Sequence, residues 1–345
     1  MCEPSVRLTE LTGQGGCSAK IAQADLASIL VGIATPAGGD LLVSAETMDD
    51  AAVYRLADDL ALVATTDFFP PPVDDPRDYG AIATANALSD IYAMGAEPIL
   101  LLNLVGFDLA NLDGAVLRQI LEGGAEVAGQ AGCAIAGGHS IRSPEPVFGC
   151  AVLGRVDPRR MISNATARAG DLVFLTKPLG TGVILNSHKS QQVEAAVLAG
   201  AVATMRQLNR DAAGAMLRAG ASAATDVTGF GLLGHVHNLA RASAVRVRLR
   251  ANALPALPGV IDLIAKGHIP GGSRRNLELS TTTTQVAPTV TDEQRWLACD
   301  AQTSGGLVVT ISVERAVQFA QLLPSATLIG EVLAAIPGQP ALELS

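Results

Sequence analysis

From residue 52 to 156, short apolar or β-branched runs alternate with longer Ala-rich stretches whose apolar positions recur at helical spacing. Alternation at period two marks a half-buried strand, and recurrence at three and four marks one face of a helix. The pattern predicts strands at 52–56, 60–65, 99–105, 134–136 and 148–156, with helices at 26–32, 78–94 and 113–131. The stretch VDPRRMISNATARAGD (156–171) is polar, poor in large apolar residues, and reads as a linker. Beyond it come strand 172–176, a long helix near 193–218, strand 221–225, helix 231–242 and strand 245–250. Strand 307–311, helix 313–322 and strand 327–332 follow, while 280–294 reads as an exposed loop or irregular edge. Interleaved strands and helices define an α/β (or α+β) protein. A length of 345 residues, at roughly 100–200 per domain, gives about two domains.

Composition narrows the class. Hydrophobic residues make up 49% of the chain, ample for a large core, whereas aromatics are only 3%. So few rings leave no stacking platform for single-stranded nucleic acid. A net charge of -9 likewise provides no basic footprint. Nucleic acid is therefore not an expected partner; an acidic chain that binds polyanions needs divalent metal to bridge the charges. No run approaches the ~18 apolar residues of a membrane helix, and the first residues lack the basic-then-apolar order of a signal peptide. Cys2, Cys17, Cys133, Cys150 and Cys299 show no metal-type spacing, which points to reduced thiols and a cytoplasmic location.

Candidate chemistry begins with aspartates at the ends of apolar runs. ETMDDAAVY sets Asp49 and Asp50 before a strand, LALVATTDFF sets Asp67 after one, and AATDVTGFG ends another at Asp226. NALSDIYAMG puts Asp90 in an otherwise apolar helix with Asn86 one turn earlier on the same face. Each alone is equally a turn or cap residue. Several carboxylates in apolar settings require a compensating cation, and hard oxygen ligands from separate segments suit Mg²⁺ with phosphate. TGQGGCSAKIA (12–22) places Cys17 and Lys20 after three glycines. That backbone is costly to order, and a nearby cation lowers a thiol pKa towards the reactive thiolate.

Other motifs stay ambiguous. Gly229 to Gly234 spell G-x-G-x-x-G, but the strand after them ends without the acid a dinucleotide fold requires, and no Walker A sequence occurs. AGGHSI (136–141) and TKPLGTG (176–182, with Lys177) read as phosphate-binding turns or as plain strand-end turns. His235 and His237 point to different helix faces and read as structural or solvent-facing.

Taken together, the stretches SVRLTEL, GGCSAKI, ETMDDAAVY, TTDFFPPPVDDP, ANALSDIYAMGAEP, AGGHSI, PEPVFG, TKPLGTGV, TDVTGFGLLGH and DAQTSGGL run in order from residue 5 to 307. In these the chain resembles the selenophosphate synthetase (selenide, water dikinase) family. That family lies within a superfamily that includes aminoimidazole ribonucleotide synthetase and hydrogenase maturation enzymes. The resemblance implies a two-domain aminoimidazole ribonucleotide synthetase-like fold, with N-terminal sheets pairing into a barrel across a homodimer. Its divisions would be a flexible Gly-rich catalytic loop (1–20), an ATP- and metal-binding domain (21–157) and a C-terminal α/β domain (170–345). It implies that ATP, selenide and water give selenophosphate, orthophosphate and AMP, with Cys17 and Lys20 catalytic on a loop that closes over the phosphates. It also implies Mg²⁺ at Asp50, Asp90, Asp226 and Asp67, and K⁺ as a further cation. Nucleotide contacts would fall at Lys20, Thr47, Met48, Asp49, Asp67, Asp90, Gly138, His139 and Ser140. A selenium-delivery protein is a further candidate partner. Here Ser18 and Ala19 follow Cys17, so the second thiol of one common version of the loop is absent. Two alternatives remain: a sister ATP-dependent enzyme indifferent to selenide, and a non-catalytic selenium carrier.

Overall fold

The computed structural model describes residues 7–21, 25, 29, 38–44 and 48–345. The helix expected at 26–32 and the contact expected at Thr47 fall on positions outside the described residues. Two mixed sheets organise the rest. The first comprises β1 (Leu41–Val43), β2 (Ala52–Ala57), β3 (Leu60–Phe69), β4 (Glu97–Phe107), β5 (Ala134–Arg142) and β6 (Val147–Val156), in the order β1-β2-β3-β6-β4-β5. All neighbours are antiparallel except β4 and β5, which are parallel.

Along β3, Ala61, Val63, Asp67 and Phe69 are buried, with more exposed residues between them. This face meets helix α1 (Pro76–Ala93), which starts with Pro76 after an Asp75 cap whose carboxylate accepts from the Asp78 amide. Helix α1 is buried on nearly every side because α2 (Gly114–Ala131) covers it and the second domain packs against it. A Cβ at Gly80 would run into the Ile120 carbonyl, and one at Gly123 into that of Arg77, so glycine permits this close approach.

The second sheet has β7 (Leu172–Leu175), β8 (Ala223–Asp226), β9 (Val245–Leu249), β10 (Thr284–Val286), β11 (Leu307–Ile311), β12 (Thr327–Ala334) and β13 (Leu342–Leu344). Its order is β10-β13-β9-β12-β7-β11-β8, with parallel pairs only at β10–β13 and β13–β9. Around it lie α3 (Thr181–Lys189), α4 (Ala195–Arg206), α5 (Arg210–Ala219), α6 (Gly231–Ala242), α7 (Val260–Ala265), α8 (Gly271–Thr283), α9 (Asp292–Cys299) and α10 (Val313–Leu322). No described helix is long and apolar enough to cross a membrane.

Two expectations change. The single helix near 193–218 is two helices, α4 and α5, broken where the Asn209 amide donates to Ser89 Oγ (2.8 Å) and to the Gly305 carbonyl (2.9 Å). The stretch 280–294 is the end of α8, strand β10 and the start of α9, whose Thr291 and Gln294 form a reciprocal capping box. The polar 156–171 segment is anchored where Ser163 and Asn164 are buried, and both bind Asp49.

Candidate functional site

Strand alternation and helical repeat converge on one point between the domains. On β3, Thr65 and Asp67 share a face; on α1, Asn86 and Asp90 are a turn apart. Thr65 Oγ1 donates to Asp90 Oδ2 (2.6 Å), and Asn86 Nδ2 donates to Asp67 Oδ2 (2.5 Å). Across the domain junction β8 ends on Asp226, and Thr225 Oγ1 donates to Asp50 Oδ1 (2.9 Å). Asp50, Asp67, Asp90 and Asp226 are thus gathered from the bend before β2, from strands β3 and β8, and from helix α1.

Electrostatics records the crowding. Burial, then the Asp226 charge, pushes Asp50 well above the ordinary aspartate range, and the same two causes act on Asp90. Burial lifts Asp226 to about 6, despite a Ser89 hydrogen bond and the charges of Lys20 and Lys177. Asp50 Oδ2 and Asp226 Oδ2 are buried with no hydrogen-bond partner. Orphaned carboxylate oxygens in a dry, like-charged cluster are what a hard divalent cation satisfies, so these residues fit Mg²⁺. His235 lies within 4.8 Å of Asp50 and Asp226. Its Nε2 already accepts from the Thr228 amide (3.1 Å) and burial lowers its pKa to about 3, leaving the carboxylates as the available donors.

Cys17 and Lys20 dock onto this cluster. Residues Gly16–Ala19 form a short 3₁₀ turn, with Gly16 at φ 61° and its amide donating to the Pro70 carbonyl (2.9 Å). The Cys17 amide donates to Thr303 Oγ1 (3.1 Å), and the thiol donates to Asn86 Oδ1 (3.3 Å). Lys20 Nζ lies 3.0 Å from Asp67 Oδ2. Burial opposes the ammonium charge, yet the carboxylates of Asp67 and Asp90 hold its pKa above the ordinary value. For Cys17 the expectation of a lowered pKa fails. Burial raises it, the Lys20 charge only partly offsets that, and Asp67, Asp226 and Asp90 raise it further. In this docked position the group is a thiol, as its hydrogen bond to Asn86 requires.

Residues 7–20 strap the two domains together. Thr9 donates to Asp74 Oδ1 through both its amide (2.9 Å) and its hydroxyl (2.6 Å), and Arg7 pairs with Asp74 (2.9 Å). From the second domain, Lys189 Nζ donates to the carbonyls of Thr12 (2.6 Å) and Gly13 (2.8 Å), and Arg275 donates to that of Ser18 (3.1 Å).

The remaining predicted residues are spread more widely. Asp49 accepts from Ser163 Oγ (2.6 Å) and faces the interdomain segment. Met48 is exposed at a left-handed φ of 51°, a conformation that costs energy for a non-glycine residue and marks candidate sites. Gly138, His139 and Ser140 do not join the aspartates. They lie on edge strand β5, whose nine residues are all exposed. Register carries Asp67 across to Cys150, Asn103 and Gly138, three strand spacings or about 14 Å. Lys177 is no free phosphate contact either: Nζ donates to the carbonyls of Gln207 (2.6 Å) and Ser304 (3.0 Å). The adjacent helix start is satisfied internally, with Asp300 accepting from the Gly182 and Val183 amides and Gln302 from those of Gly180 and Thr181. Sequence reasoning missed Thr303, and Ser304, whose amide donates to Asn86 Oδ1 (2.9 Å). It also placed His235 away from the site. Nothing local in the sequence announces these contacts, which join positions hundreds of residues apart.

The architecture and the carboxylate site place the chain among the AIR synthase related proteins. Residues 48–156 match their N-terminal domain and residues 168–336 their C-terminal domain. The chain is 45% identical to the selenide, water dikinase of Myxococcus xanthus over 96% of either protein. It is 49% identical to that of Burkholderia ambifaria over 89% of this chain and 87% of the other. This chain belongs to the selenide, water dikinase family. Its fold also matches the crystal structure of a thiamine-monophosphate kinase from Stenotrophomonas maltophilia (TM-score 0.65, 23% identity, covering 95% and 96% of the two chains).

Proposed function

We infer that this protein makes selenophosphate from ATP, selenide and water, releasing AMP and orthophosphate. The observation that carries this reading is the docking of Cys17 and Lys20 onto four converging carboxylates. The phosphates of ATP belong at the carboxylate cluster, contacted by Lys20, Asp67 and Asp90 and flanked by Thr47, Met48 and Asp49. Mg²⁺ would be held by Asp50, Asp90, Asp226 and Asp67, where it would supply positive charge to offset that of the phosphates. Lys20 stabilises negative charge developing on the transferring phosphoryl group. Cys17, shielded from water, handles selenium beside it.

The catalytic loop is assigned to 1–20, the ATP and metal domain to 21–157 and the C-terminal domain to 170–345. The family-matched ranges support the last two divisions. Strand β5, exposed along its whole length with Ile135 and Ile141 open to solvent, is an edge that invites pairing. It supports a homodimer in which N-terminal sheets close into a barrel, with Gly138, His139 and Ser140 at an inter-subunit nucleotide surface.

Anaerobic phosphorus NMR with ATP, Mg²⁺ and K⁺, with and without selenide, tests the reading. A selenium-bonded phosphate signal together with AMP is expected only with selenide. ADP alone, or turnover indifferent to selenide, overturns it. Selenium bound at Cys17 without AMP identifies a carrier instead. Replacing K⁺ by Na⁺ in the same assay tests the monovalent requirement.

A further inference from the structure

Two cavities meet the Cys17–Lys20 loop from opposite sides, and Lys20, Ile21 and Phe230 form the wall they share. One, of about 700 Å³, is lined by Thr66, Asp67 and Glu145 and so reaches the carboxylate cluster at Asp67. The other, of about 380 Å³, lies against α8, and its lining includes Cys17 itself together with Arg275, Asn276, Leu279 and Thr282. Arg275 is half-buried and ties its guanidinium to the Ser18 carbonyl, one residue from the thiol, whereas Asp25 and Glu278 sit at the exposed rim.

We propose that the α8 cavity is the entry and binding site for the selenium substrate as the hydroselenide monoanion, separate from the nucleotide side of the loop. The inference rests on the proposed function for the identity of the anion. Charge decides between the routes. An anion approaching through the carboxylate side meets Asp67 and its neighbours, and then a triphosphate once ATP is bound. On the α8 side it passes the exposed carboxylates of Asp25 and Glu278 at the rim and then meets the cations Arg275 and Lys20 beside the thiol, with no triphosphate in its path. A partition of this kind lets both substrates occupy the enzyme at once, with Lys20 on their common wall.

The test uses the full chain and two variants, Arg275→Gln and Thr282→Trp, the second filling the cavity from α8. Two readouts are taken: anaerobic steady-state kinetics, and the rate at which iodoacetamide alkylates Cys17, followed by peptide mass spectrometry. Arg275→Gln is expected to raise the KM for selenide about tenfold with the KM for ATP within twofold. Thr282→Trp is expected to slow Cys17 alkylation at least fivefold, while Mg²⁺ with a non-hydrolysable ATP analogue leaves the wild-type alkylation rate unchanged. If the analogue blocks alkylation, or Thr282→Trp leaves its rate unchanged, the thiol is reached from the carboxylate side and the proposal falls. Unchanged selenide KM in Arg275→Gln overturns it too. Alkylation needs no turnover, so a wild-type enzyme inert towards selenide would remove the proposed function while the cavity arm still gives its answer.

Discussion

Replacing Asp226 by asparagine should stabilise the metal-free protein, although it removes a residue assigned to the active site. Asp226 is 2% exposed, and its carboxyl is lifted from 3.8 to about 6. The unfolded chain therefore releases this proton at lower pH than the folded one. Between those two values the native state binds more protons, so stability falls as pH rises and stays reduced above about pH 6. A shift of roughly two units corresponds to about 3 kcal/mol. Asparagine keeps the shape without the charge, so at about pH 7.5 in chelator the variant should gain up to about 3 kcal/mol, falling to about half that near pH 5. For a chain of this size that is a rise in melting temperature of about 4 °C. Burial raises Asp50, Asp90 and Asp300 in the same sense, and lowers Lys177 to about 7 and His235 to about 3 in the opposite one. The difference between wild type and variant reports Asp226 together with the relief of Asp50 and Asp90, whose pKa values its charge raises. Adding Mg²⁺ should raise the wild-type melting temperature more than that of the variant, since a ligand that binds the native state stabilises it by mass action. Thermal melts by circular dichroism, in chelator and in Mg²⁺ across that pH range, read both effects. A variant that melts at or below the wild type at pH 7.5 without metal would refute the argument.

Cys17→Ser should reduce selenide-dependent turnover to background and leave the melting temperature within about 2 °C, because a serine hydroxyl also donates to Asn86; full activity would remove the thiol from the mechanism. Asn86→Leu strips partners from Asp67 and the Ser304 amide and should cost about 1–3 kcal/mol for each buried group left unpaired, read by denaturant unfolding. In Gly15→Ala the new Cβ meets the Pro71 carbonyl oxygen. Overpacking of about 1–3 kcal/mol should undock the loop, seen as faster Cys17 alkylation with little change in Mg²⁺ affinity.

The parts of the site that sequence reading located are those encoded in local periodicity. Asp67 ends a strand with clear alternation, and Asn86 with Asp90 follows the helical repeat, so strand, helix and their polar faces were legible. The pattern ends strand β5 at residue 136 because Gly137 and Gly138 look like a turn. Both have positive φ (117° and 155°), yet the strand continues through them, and glycine is needed because a Cβ at Gly138 would meet the Asn103 carbonyl. The break between α4 and α5 carries no glycine or proline; it is imposed by Asn209 bonding to Ser89 and Gly305. The raised Cys17 pKa was out of reach for a related reason. Sequence proximity to Lys20 is local, whereas the burial that outweighs it comes from Asn86, Thr303 and the second domain.

The bond from the Cys17 amide to Thr303 spans 286 positions of chain. During synthesis the thiol leaves the ribosome long before Thr303, and the pocket that buries it is incomplete until those 286 positions have followed. For most of translation the nascent protein carries a cysteine without Thr303 and the rest of the second-domain wall that buries it. Assembly of the reactive centre is thereby made a late event. A ribosome-bound intermediate stalled before residue 303 should expose Cys17 to alkylation, while α1 and β3 can already have brought Asn86 and Asp67 together.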